Sequence, residues 1–505
     1  MRRSGILALA ATLALVAMFF GGPAAASTWI KAESERFIVY SDVSAQATER
    51  FTRRLESYDR VLRLAMGLPP EVAPQRKLPV YLTQQADGLS VVSPGIRDEV
   101  AGFYSASDED VYAIVEYGHG EYVLFHEYAH HFMHQNFDAS FPGWFVEGFA
   151  EYYATTEIRQ DGSVYVGKIN QGRAVWLNNP ADWINLSDLF RRRAGTRASV
   201  NPTYYPLAWL TAHWFLNDPA NRPKLVAYLN GLGRGADGVA AMEQALGMSL
   251  PQFQNELEIY LRRNMPFRRV TYDFPAAPVS VTTLPASASE LILLNQRLKG
   301  ENDEEYSADT LTRVRAAAAR YPADPFARLV LGHAELKLGE REAGRDRLLA
   351  LLEEQPQNVE ALQYLARSAL DAADADPDSG AALIQEARGY LGRAYQADDA
   401  NYYTFYLLAQ SRSGAPGYPN DNDMTTWSLA YALARQLPEV RIGYAHALMV
   451  RGRSAEAVTV LRPLANAPHG GGAADVAQRM IDSVVASPEP ESEPAHTAEG
   501  SPDPA

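Results

Sequence analysis

His126-Glu-Tyr-Ala-His130, followed after ten residues by Phe141-Pro-Gly-Trp-Phe-Val-Glu147-Gly-Phe-Ala-Glu151-Tyr-Tyr153, is the stretch on which the reading of this 505-residue chain turns. In an α-helix, residues i and i+4 lie one turn apart on the same face, so His126 and His130 can direct imidazole nitrogens at a single zinc ion. Glu127 stands beside them, free to act as a base. Pro142 and Gly143 open a second helix, on which Glu147 and Glu151 again share a face. Zinc in hydrolases commonly takes two His and one Glu and leaves the fourth position to water, so Glu147 is well placed to complete the ligand set of His126 and His130 for one Zn2+ ion. Glu151 then accepts the remaining ring N–H of a ligating histidine and fixes its tautomer. His131 and His134 fall off the ligand face and read as packing or surface residues. His119, between Gly118 and Gly120, reads as a turn histidine.

HEYAH followed by WFVEGFAEY resembles the gluzincin metallopeptidases, the group that includes thermolysin and the zinc aminopeptidases. The resemblance is close over residues 126–153 and holds only in general layout from Trp29 to Phe274. It implies an α+β zincin-like domain and a zinc-dependent peptidase with Glu127 as general base. Zinc brings the pKa of a water from about 15.7 towards about 7, Glu127 takes the proton, and Glu127 returns it to the departing amine. No GxMEN-like segment precedes HEYAH, the segment with which gluzincin aminopeptidases hold a free amino terminus, so an endopeptidase is expected. Tyr205-Pro-Leu-Ala resembles the segment that supplies a tyrosine to the oxyanion in related gluzincins; Tyr205 is the candidate, with Tyr204 close behind. Zincins dock peptides along a sheet edge, and VYAIVEY, Val111 to Tyr117, is the candidate for that edge, a simple core strand being the alternative.

The amino terminus places the chemistry outside the cytoplasm. Arg2 and Arg3 precede an apolar run from Ile6 to Phe20, and Ala24-Ala25-Ala26 offers a small-residue cleavage site, so a secretory signal peptide cut after Ala26 is expected. The chain has no cysteine, which excludes disulfides, thiolate zinc sites and a lipidated Cys anchor. A bacterial periplasmic or secreted location fits best. The net charge of −15 argues against nucleic acid or an anionic membrane surface as a partner. No later segment is apolar over enough residues to span a membrane.

A chain of this length predicts at least two domains. A strand at Phe37–Tyr40, a long helix ended by Gly67 and a strand at LPVYLT precede the metal helices; helices at Tyr204–Asn217 and Phe253–Asn264 follow. Pro- and β-branched-rich RRVTYDFPAAPVSVTTLP reads as a closing strand and a linker. Beyond it Pro322 and Pro356 stand 34 apart, the tetratricopeptide period, and Gly332, Gly344 and Leu348 fit that pattern, as do Ala445, Gly452, Ala457 and Leu461. AALIQEARGYLGRAYQADDANYYTFYLLAQ reads as a degenerate unit between two loop insertions. The expected plan is a signal peptide (1–26), a gluzincin-like metallopeptidase domain (27–275), a linker (276–286), three to four tetratricopeptide-like repeats forming an all-α solenoid (287–485) and a disordered Pro/Glu-rich tail (486–505). The repeats would recruit a peptide or protein substrate or another protein partner, and deleting 287–505 is expected to spare cleavage of small peptides. The alternative is a non-catalytic envelope scaffold in which an inactive zincin domain supports a repeat-based interaction surface.

Overall fold

The computed structural model describes residues 28–486 apart from 138, 140, 160, 192–200, 264, 273–274, 301–303, 377 and 468–470. The expected signal peptide, and the expected tail beyond Ala486, lie outside the described residues.

The amino-terminal part is built on a sheet. In chain order come β1 (Ile30–Glu33), β2 (Phe37–Ser41), α1 (Ala45–Ala65), β3 (Leu78–Thr83), α2 (Asp87–Val92), β4 (Gly102–Ala106), β5 (Val111–Glu116), α3 (Glu121–Asn136) and α4 (Gly143–Ala154). Ser44 caps α1 by accepting from the Ala47 amide, and Gly67 beyond its end takes a left-handed φ of 73°. A small three-stranded sheet follows, of β6 (Glu157–Ile158), β7 (Ser163–Val166) and the later β8 (Arg268–Thr271). Between β7 and β8 run α5 (Gln171–Ala174), α6 (Leu186–Arg191), α7 (Tyr204–Asn217), α8 (Arg222–Gly233), α9 (Gly238–Leu246) and α10 (Leu250–Arg262).

The main sheet has the order β4-β5-β3-β2-β1-β9, where β9 is Ser280–Thr283. β2, β3 and β5 are parallel, while β4 and β9 close the two edges antiparallel. β5 is therefore an inner strand, and the edge beside it is β4, which corrects the expectation that Val111–Tyr117 is the edge. The reason is legible in β5 itself: VYAIVE does not alternate, and five of its six residues are buried, as in a strand covered on both faces. One face packs on α1 and α3 through Val80, Ala113 and Val115 against Leu55, Tyr58, Leu124 and Tyr128. The other face, with Tyr81, Tyr112 and Ile114, is covered by Leu89 and Val92 of α2 and by Ala288 and Ile292.

Those last two residues belong to α11 (Ala288–Lys299), the first helix beyond the expected linker. The Tyr81 hydroxyl donates to Gln296 Oε1 at 2.8 Å. Ser280–Thr283 pairs antiparallel with Ile30–Glu33, so part of the segment read as a linker is a strand of the main sheet. Its Ser/Thr-rich residues are exposed, as suits an edge strand, and nothing local reveals a partner some 250 positions upstream.

From α11 onwards every element is a helix: α12 (Glu304–Ala318), α13 (Pro325–Leu338), α14 (Arg341–Glu354), α15 (Val359–Ala375), α16 (Gly380–Ala397), α17 (Tyr402–Gln410), α18 (Asp421–Leu433), α19 (Pro438–Val450), α20 (Ser454–Ala465) and α21 (Gly471–Ala486). Consecutive helices pack as α13/α14, α15/α16, α17/α18 and α19/α20, a helical repeat array. Pro322 and Pro356 stand in the loops before α13 and α15. Gly332 and Gly344 permit a close approach of α13 and α14: a Cβ on Gly332 would lie 2.5 Å from Leu348, and one on Gly344 2.8 Å from the Gly332 carbonyl. The frame of the middle unit differs from the sequence reading, because α16 completes the pair begun by α15 while α17 opens the next. No helix among the described residues is long and apolar enough to cross a membrane.

Candidate metal centre

α3 is held in place before it reaches the site. Tyr58 of α1 stacks on Phe125 with ring centroids 3.9 Å apart and donates to the Phe125 carbonyl at 2.9 Å, while Tyr128 donates to the buried carboxylate of Asp59 at 2.8 Å. Asp59 is paired in turn with Arg36 and Arg63, each at 2.7 Å. α4 is buried along its whole length and is seated against α7 at Gly148, where a Cβ would fall 2.4 Å from the Ala208 carbonyl. Helix α4 thus presents Glu147 to α3.

His126 and His130 bring their Nε2 atoms to 3.1 Å from each other, and Glu147 Oε2 lies 3.6 Å from both. A tetrahedral ion with bonds of about 2.0–2.1 Å separates neighbouring ligand atoms by about 3.4 Å. The three observed distances bracket that value, so the donor set fits one face of a zinc coordination tetrahedron. Burial and the neighbouring His130 hold the His126 pKa below its ordinary value. For His130 burial acts in the same direction, but the charge and hydrogen bonding of Glu147 outweigh it and raise the pKa. Two imidazoles and a carboxylate converging in this way could hold a single cation.

Glu127 is half-buried and does not converge with these three donors. Its charge acts on both histidines and on Tyr205. Among the described residues Glu127 has no ion-pair partner. Glu151 is fully buried, its Oε1 3.6 Å from His126 Nδ1, and is fixed from the far side: Tyr122 donates to it at 2.5 Å, Asn170 Nδ2 at 2.9 Å, and Arg173 forms a short ion pair with it.

Tyr205, at the start of α7, is half-buried, with the Arg173 guanidinium 5.4 Å above its ring. Burial and the Glu147 charge push its hydroxyl up to about 12, so it remains a proton donor at neutral pH. Tyr204 packs edge-on against Tyr205 and is fully buried, its hydroxyl meeting no hydrogen-bond partner among the described residues. His119 is exposed and lies 3.3 Å from Glu116. His131 is buried, bonded to Tyr104 of β4 at 2.9 Å and held down to about 3 by burial. His134 is half-buried and likewise held down to about 3, by burial and then by Arg441 of α19.

No family model and no curated protein matches this chain. Among solved structures, a thermophilic tetratricopeptide-repeat protein from Thermus thermophilus is 20% identical, covers 39% of this chain and 99% of its own, and has a TM-score of 0.33. A point mutant of MamA is 16% identical, covers 35% of this chain and 94% of its own, at a TM-score of 0.26.

Sequence reasoning missed Arg173, Asn170 and Tyr122, which fix Glu151. Asn170 is recognisable as a helix cap, since it accepts from the Arg173 amide at 3.2 Å, but its reach to Glu151 depends on how the segment after β7 folds back.

Proposed function

We propose that this chain is an exported zinc peptidase, with residues 27–275 and the strand at Ser280–Thr283 forming a zincin-like domain. The observation that carries this reading is the convergence of His126, His130 and Glu147 within 4.8 Å of one another, with Glu127 beside them and outside the ligand set. A purely structural site closes all four positions with protein ligands; three donors and an adjacent carboxylate are what a hydrolytic site needs. When bound, zinc supplies Lewis acidity that polarises a carbonyl and brings the ionisation of water near neutrality. Glu127 takes the proton of the attacking water and delivers it to the leaving amine. Tyr205 donates its hydroxyl proton in a hydrogen bond to the oxygen that gains charge, and its partial exposure suits it to that role better than Tyr204. Glu151, braced by Arg173, orients the His126 ring. The substrate is a peptide or protein segment, and without an amino-terminus-binding segment the cut is internal.

A second reading has an observation of its own. The carboxy-terminal array of helix pairs is a platform for protein contacts, and a scaffold resting on an inactive zincin-like domain would use it without chemistry. Metal loading separates the first requirement of the peptidase reading: the wild type binds one zinc per chain and Glu147→Ala binds it far more weakly. Equal zinc binding by both proteins would remove the ligand assignment.

A further inference from the structure

The turn between β4 and β5 carries three consecutive carboxylates, Asp108, Glu109 and Asp110, and the helical array meets all three. Asp108 pairs with Arg367 of α15 at 3.0 Å, and its carbonyl accepts from Tyr402 of α17 at 3.1 Å. Glu109, its side chain only 10% exposed, pairs with Lys337 at 2.6 Å and His333 at 3.2 Å, both on α13. The His333 ring in turn stacks on Tyr364 of α15, centroids 3.7 Å apart and 7° from parallel. Asp110 pairs with Arg76 at 2.7 Å, accepts from Gln296 at 3.3 Å and lies 3.7 Å from the buried Lys299, and Ser107 donates to the Lys299 carbonyl at 2.9 Å.

Apart from Arg76 and the α11 residues Gln296 and Lys299, these partners sit on the first helices of successive pairs, α13, α15 and α17. α13, α15, α17 and α19, with Arg341 of α14, line one groove, and a cavity of about 500 Å³ remains there beside the turn. The groove is therefore engaged by this chain's own acidic turn. The strand leading into that turn is β4, an edge strand of the main sheet among the described residues, and Tyr104 on β4 is bonded to His131, the neighbour of His130.

We propose that the array acts as a clamp, in which Lys337, His333 and Arg367 hold the Asp108–Asp110 turn and so fix the position of β4, the edge along which an extended substrate pairs. This rests on the peptidase reading of the metal centre. It gives the repeats a role inside the enzyme, with Glu109 and Asp108 as positioning residues that touch neither metal nor substrate. Strand addition to an edge depends on main-chain groups held in line, so a loosened β4 weakens capture of a long peptide and leaves the chemistry at the scissile bond intact. Burial works against the Glu109 charge, yet His333 and Lys337 outweigh it and hold the carboxyl down to about 2, as a tightly gripped carboxylate requires.

The test compares the full-length chain with Glu109→Lys, Lys337→Glu and the double exchange, using a fluorogenic peptide of about ten residues. Glu109→Lys is expected to raise KM by roughly tenfold, with kcat and zinc content within about twofold of wild type, and the double exchange to restore most of the loss. Glu109→Gln, which keeps the side-chain shape, gives a smaller change of the same kind if the lysine variant fails to fold. Deuterium exchange on the same proteins reads the clamp without activity: amides of Gly102–Ala106 should exchange faster in Glu109→Lys and recover in the double exchange. Unchanged exchange in both Glu109 variants overturns the clamp. Faster exchange with an unchanged KM overturns the coupling to substrate. A wild type that cleaves nothing removes the peptidase reading, while the exchange data still decide whether the array holds the turn.

Discussion

Replacing Glu151 by Ala separates the brace of the metal centre from the centre itself. The side chain is fully buried and receives Tyr122, Asn170 and Arg173, while its Oε1 lies 3.6 Å from His126 Nδ1. Without it His126 loses the carboxylate that aligns its ring, and zinc affinity should fall by about 10- to 100-fold, equivalent to about 1.4–2.7 kcal/mol. The metal-free protein should also lose stability, because Arg173, Tyr122 and Asn170 lose a shared acceptor. Breaking a buried ion pair costs about 3–5 kcal/mol. Arg173 is one-third exposed, so about 2–3 kcal/mol is the better expectation once solvent screening is allowed for. Zinc affinity is read by competition with a chromophoric chelator, and stability by urea unfolding with chelator present. Glu151→Gln, which keeps an acceptor oxygen and loses the charge, should fall between wild type and Ala in both. A Glu151→Ala protein that loses stability but holds zinc within about twofold of wild type would refute the orienting role and leave Glu151 as an anchor for the Asn170–Arg173 segment alone.

Three further outcomes follow from the geometry. Tyr205→Phe should lower kcat by about 10²–10³ with little change in KM or zinc content, because the lost hydrogen bond forms only as charge develops; steady-state kinetics on one peptide suffices. Truncation after residue 286, expected from sequence to spare small-peptide cleavage, should instead prevent soluble folding. It strips Ala288 and Ile292 from the sheet face of Tyr81, Tyr112 and Ile114, and takes Gln296 from Tyr81 and Asp110. Cooperative unfolding of the 1–286 fragment would contradict this. The third outcome concerns Glu109, whose folded pKa is lowered from 4.5 to about 2, so its contribution to stability is complete above about pH 4.5 and is lost as pH falls towards 2. The shift corresponds to at most about 3 kcal/mol. Lys337 supplies the constant positive charge facing it. His333 is held below its ordinary pKa by burial, against the pull of Glu109, and strengthens the pair only once it protonates. The stability difference between wild type and Glu109→Gln should therefore shrink across that window; a difference independent of pH would contradict the pairing.

Much of the local structure can be read directly from residues. The i, i+4 spacings on α3 and α4 place two histidines and a glutamate on facing helices, and Tyr204–Asn217 is helical over the span that its apolar run suggests. What sequence does not carry is long-range pairing. VYAIVE reads equally as an edge or an inner strand until Gly102–Ala106, with its glycine and few branched residues, is seen to take the edge. Ser280–Thr283 looks like linker between prolines because its partner is at the other end of the domain. The acidic run at 108–110 gives no local sign of its partners, since its counter-charges at 333, 337 and 367 lie more than 200 residues away.

The central claim is that Glu127 performs chemistry at a zinc centre built by His126, His130 and Glu147. Metal content and proteolysis of an unfolded protein such as casein, measured on the mature full chain beside Glu127→Gln, test it most directly. One zinc in each protein with cleavage by the wild type alone is the predicted result. Loss of zinc in Glu127→Gln, or equal cleavage by both proteins, would contradict the assignment of Glu127 as base rather than ligand.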